Sequence, residues 1–134
     1  LDQYSVNVKN QVGAAMSAGQ FVILDVANDD GYSVISAPVT AGAKPHCMLK
    51  KTCAIAAICE CQTYGYTSVA LFENAGGTAT AGEHAYLSGT FAGFSAAIVA
   101  FGGAAAVVVT DNPVGVFLDS PSADGTTELF LRLR

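Results

Sequence analysis

The sequence predicts an all-β protein, a compact small β-barrel or β-sandwich with an extended N-terminal arm. Three observations carry that prediction. Short β-branched and aromatic runs recur along the chain, separated by Gly, Asn, Asp and Pro turn signals. The closing segment alternates, with Leu129, Leu131 and Leu133 on one parity and Glu128, Phe130, Arg132 and Arg134 on the other. The third is the run Phe91–Thr110, twenty apolar and small residues interrupted by Gly102-Gly103. That length meets the test for a membrane-spanning helix. Two adjacent glycines weaken a helix, however, and Ile98, Val99 and Val107–Val109 favour strands. The nearest basic residues are Lys51 and Arg132, so no positive flank orients a span. A hairpin is therefore expected, with strands Phe94–Phe101 and Ala104–Thr110 around the two glycines.

Residues 1–17 read as an arm, because they hold few large apolar side chains and no strong cap. Leu1, Tyr4, Val6 and Val8 are its candidate contacts with a partner. A single β domain is expected over 18–134. It opens on a strand within Ala18–Val26, turns at Asn28-Asp29-Asp30-Gly31 and returns through Tyr32–Ser36. The acids of that turn lack the alternating oxygens and distal Glu of a helix–loop–helix calcium site. Pro38–Pro45 is loop. Residues 47–58 are compatible with helix or strand, and two short strands turning near Lys50-Lys51 are favoured. Ile55–Gln62 places Cys59 and Cys61 on one face and Ile58, Glu60 and Gln62 on the other. Tyr64–Phe72 is strand material, and His84–Leu87 begins another strand. Ala18-Gly19-Gln20 and Ala81-Gly82-Glu83 form a weak internal repeat, each leading into a strand. A strand within Asn112–Leu118, a loop and the closing strand Thr127–Leu133 complete the chain.

Composition excludes several functions. The net charge is −5, with six Lys and Arg against eleven Asp and Glu, which disfavours nucleic acid. Only 13% of residues are charged, a composition suited to burying surface against a partner. His46 and His84 are the only imidazoles, and neither context activates a Ser or Cys. No paired-carboxylate, phosphate-loop or dinucleotide motif occurs, so no enzyme, cofactor or small-molecule substrate is expected. Cys47, Cys53, Cys59 and Cys61 are separated by five, five and one residues, unlike the paired short spacings of zinc sites. They read as small buried hydrophobes, with metal ligation or disulfides as alternatives. No signal-peptide pattern opens the chain, and free thiols without metal are the expectation.

The order Ala-Gly-Gln-Phe-Val at 18–22, Tyr-Gly-Tyr-Thr-Ser-Val-Ala-Leu at 64–71, Ala-Gly-Glu-His-Ala-Tyr-Leu at 81–87, Val-Gly-Val-Phe-Leu-Asp at 114–119 and Gly-Thr-Thr-Glu-Leu-Phe-Leu at 125–131 resembles the head decoration (cement) proteins of tailed bacteriophages. The resemblance spans about residues 18–134, and the cysteine-rich segment 47–61 departs from the pattern. It implies an all-β protein that binds the major capsid protein on the outer surface of the virion. It implies assembly as a homotrimer in the host cytoplasm, bracing of the shell, and no catalytic residues. The rival expectation is a secreted or surface-displayed β-sandwich binding or adhesion module, with Tyr64 and Tyr66 as its aromatic platform.

Overall fold

A computed structural model describes residues 3–28, 30–38, 44–74, 77–89, 91–97 and 113–133. These residues are all-β. They form β1 (Tyr4–Asn10), β2 (Phe21–Leu24), β3 (Ser33–Ser36), β4 (Cys47–Leu49), β5 (Ile58–Phe72), β6 (His84–Leu87), β7 (Ser95–Ala96), β8 (Pro113–Phe117) and β9 (Gly125–Arg132). The expected strands around 18–26, 32–36, 84–87, 112–118 and 127–133 are all present, each bounded by its turn residues. Val22, Ile23 and Leu24 pair antiparallel with Ser36, Ile35 and Val34, which is the hairpin read around Asn28–Gly31. Asp30 accepts bonds from the Ser33 hydroxyl and from the Ser33 and Tyr32 amides. Those bonds, led by the Ser33 hydroxyl, hold its carboxyl below the usual carboxylate range.

All strands join one sheet, and the pairings close on themselves twice. One circuit runs β1–β3–β2–β4–β5 and back to β1. The other runs β5–β7–β6–β8–β9 and back to β5. The 15-residue β5 belongs to both, and each circuit has its own core. The second circuit packs Phe72 edge-on against Phe117, with Leu129 and Leu131 beside them and Phe21 and Met48 from the first circuit's strands. The first circuit encloses Val8, Met16, Val22, Val34 and Leu49 with three of the cysteines.

The expected strand Ile55–Gln62 starts only at Ile58, residues 55–57 lying in a turn before it, and it runs on into Tyr64–Phe72 as β5, with a one-residue register shift against β1 where the chain bends. Gly65 takes φ +103°, a value that a side chain disfavours. The buried Gln62 amide donates to Tyr64 O at 3.0 Å and to Tyr66 O at 2.9 Å. Residues four apart in a straight strand lie about 13 Å apart, so one side chain reaches both carbonyls only across a bend. Gln62→Leu removes both bonds; Tyr66 O keeps the Gln3 side-chain amide at 3.0 Å, while Tyr64 O loses its Gln62 donor. The substitution should cost about 2 kcal/mol in urea unfolding, and an unchanged midpoint would dismiss the bend as a source of stability.

The N-terminal arm is corrected. Residues 4–10 are a strand paired antiparallel with β5 from Tyr4↔Tyr64 to Lys9↔Ile58, and parallel with β3 at Lys9↔Ser33. Val8 is fully buried, Met16 bridges Cys53, and the Asn10 side-chain amide donates to Ala14 O and Cys53 O. The boundary expected at residue 17 therefore does not divide the chain. Two apolar side chains suffice, because strands remote in sequence supply the walls they pack against. Of the Phe94–Phe101 strand, Ser95–Ala96 are seen as β7, paired with β6 and β5. Gly102-Gly103 and the strand Ala104–Thr110 lie outside the described residues.

Candidate interaction surface

The cysteine segment folds around a crossing from β4 to β5. Met48↔Gln62 and Leu49↔Cys61 set these strands antiparallel, and Cys47 bonds to Cys61 with Cα atoms 5.5 Å apart. Cys53 bonds to Cys59 across a tight turn, in which Ala57 N donates to Ala54 O and Ala56 takes φ +60°. The expectation of free thiols is thus corrected. Its inward-facing cysteines are right for Cys47, Cys53 and Cys61, all fully buried, but each thiol has met another. Spacing along the chain concealed this, because one bond is made across strands and the other around a turn. Closing loops of these lengths contributes roughly 2 to 3 kcal/mol each in the chain-entropy account, less when nested. Ile55 in this turn and Ile58 just after it are 60% and 66% exposed.

Neither histidine joins a chemical cluster. Burial pushes the half-buried His46 imidazole below its usual range. His84 is exposed on β6, its ring tilted toward Tyr86 at 6.5 Å. Among the described residues no group of three His, Cys, Asp or Glu side chains is placed to hold a metal ion. No helix among them is long and apolar enough to cross a membrane. Lys50 pairs with Glu60 at 3.1 Å, and this bond, with a further one from Ser5, lowers the Glu60 carboxyl. Glu73 is fully buried and accepts the Ser88 hydroxyl at 2.9 Å.

The most continuous feature is a row of rings across β1, β5 and β9. Register sets it: Tyr4 lies opposite Tyr64, Tyr64 opposite Arg132, and Tyr66 opposite Phe130. The Tyr4 and Tyr64 rings are tilted with centroids 5.8 Å apart, and Tyr64 meets Phe130 edge-on at 5.1 Å. Arg132 lies over the Phe130 ring at 5.8 Å, within cation–π range. Edge-to-face pairs contribute about 0.5–1.5 kcal/mol beyond area burial, so the row is held in one arrangement. Tyr4 is 46% exposed and Val6 39% exposed, whereas Tyr64 and Phe130 are half-buried.

Of the four arm residues expected to contact a partner, Tyr4 and Val6 are on the surface and Val8 is inside. Leu1 lies outside the described residues. The tyrosine platform expected at Tyr64 and Tyr66 includes Tyr64, but its other members are Tyr4 and Phe130. Phe130 and Arg132 were legible as the outward parity of the closing strand. Their meeting with Tyr64 and Tyr4 was not, since it depends on which strands flank β5. No protein-family model matches the chain, and no curated protein matches it.

Proposed function

We propose that this chain is a structural virion protein that binds the outer surface of a bacteriophage capsid as a cement or decoration protein, with the aromatic row as its contact face. The row is the observation that carries the reading. Tyrosine and arginine are the side chains that protein interfaces concentrate at their energetic centres, and rings already packed on one another lose little entropy on docking. The partner in this reading is the major capsid protein, and the chain acts as a homotrimer without catalytic chemistry. Each five-strand circuit is read as a small closed barrel, a shape with few open edges that suits a load-bearing brace.

The two disulfides favour a second reading, a secreted or surface-displayed adhesion module. They do not decide between the two, because the exterior of a virion is itself an oxidising setting in which disulfides persist. Co-sedimentation with phage heads stripped of decoration separates them. The intact protein should pellet with heads, and Tyr4→Ala should weaken that binding about tenfold while leaving the fold in place. Absence of any head affinity in a protein that sediments as a monomer would reject the decoration reading. Binding to host cells in its place would establish the adhesion module.

A further inference from the structure

All four cysteines belong to one circuit. Cys47, Cys53 and Cys61 are part of the core that holds Val8, Met16, Val22, Val34 and Leu49, and Cys59 packs against it. That core holds no aromatic ring, and three of its eight fully enclosed members are cysteines. The other core has Phe72 and Phe117 from the second circuit, joined by Phe21 of β2 and Met48 of β4, and no cysteine. Both bonds tie the β4–β5 crossing together, and the Cys53 backbone also bonds Met16 and accepts the Asn10 side chain. The core lined by β1 and the cysteines thus leans on covalent links, where the core built on the second circuit, with Phe21 and Met48 reaching into it, leans on large apolar side chains.

We propose that the two disulfides form a redox latch on the first circuit alone: reduction loosens β1, β4 and the first third of β5, while the second circuit stays folded. Tyr4 and Val6 are carried by β1, so the latch controls whether the aromatic row is complete. This consequence rests on the decoration reading of that row. The chemistry is thiol–disulfide exchange. A dithiol's thiolate attacks the sulfur of Cys59, the more accessible end of its bond, and Cys53 departs as a thiolate that takes a proton from water. The reagent's second thiol displaces Cys59, leaving two cysteine thiols and the reagent's cyclic disulfide. Cys47–Cys61 opens in the same way, and glutathione disulfide drives the reverse exchange.

Hydrogen exchange on the full-length protein, oxidised, reduced with excess dithiothreitol and reoxidised with glutathione disulfide, tests the latch. Amides of β1, β4 and residues 58–62 should exchange at least about 100-fold faster on reduction, those of β6, β8 and β9 within about threefold, with recovery on reoxidation. Equal acceleration in both circuits, or none in either, would overturn the latch. Head binding by the same samples tests its consequence: reduction should weaken it at least about tenfold, and equal binding by both forms would refute control of the row. If the oxidised protein binds no heads, the decoration reading falls, and the exchange pattern still decides the latch.

Discussion

Gly19→Ala should destabilise the protein by about 3 to 5 kcal/mol, whereas the same change at Gly82 should cost about 1 kcal/mol. The two glycines occupy equivalent turns. Gln20 N donates to Ser17 O and Ser17 N to the Gln20 side chain; Glu83 N donates to Thr80 O and Thr80 N to the Glu83 side chain. Each glycine takes positive φ, +83° and +94°, as the third residue of such a turn requires. An alanine therefore carries the same backbone strain at both. Only the surroundings differ. A Cβ on Gly19 would lie 1.8 Å from Val69 O, whereas a Cβ on Gly82 would meet nothing within 4 Å. Gly19 is wedged between strands, donating to Leu49 O and accepting from Leu71 N, so neither side can retreat without losing a bond. Urea midpoints of the two variants, compared with the parent, make the measurement. Equal losses at both positions would mean that Gly19 is not packed against β5.

A second large effect is expected at β1. Val8→Asp places a carboxylate in the core that holds Cys59, Cys61 and Val34, which has no cation among its described members, and should cost about 3 to 5 kcal/mol. Val6→Asp, two residues earlier on the same strand and 39% exposed, should cost less than about 1 kcal/mol. Were residues 1–17 a free arm, both variants would melt like the parent, and so would a chain lacking residues 1–10. Loss of melting temperature on that deletion is the complementary observation. It follows from Asn10, whose side chain satisfies Ala14 O, Cys53 O and Val12 N and which the deletion removes.

What was legible in the sequence was local. Alternation in Glu128–Leu133 gave the inward leucines correctly, since the pleat alone sets the parity of a strand. The Ala-Gly-Gln and Ala-Gly-Glu repeat marks two copies of one turn, and each opens a strand in a different circuit, β2 and β6. Turn chemistry is carried by four residues, so it can be read from four residues. The same locality explains the failures. Residues 1–17 look too poor in apolar side chains to fold, because most of the core around Val8 comes from residues 22 to 61.

By itself the sequence determined that this is a β protein, where the turns at 17–20, 28–31 and 80–83 fall, which parity of the closing strand points inward, and how little charge the chain carries. Those properties depend on neighbours in the chain, and backbone sterics enforce them at short range. The tertiary structure alone decided that β5 serves two circuits, that the cysteines bond in pairs, and that Tyr4 reaches Tyr64 and Phe130. Each of these requires segments far apart in sequence to be brought into register. Pairing partners are selected by closure of the whole sheet, and no short stretch of the chain encodes that choice.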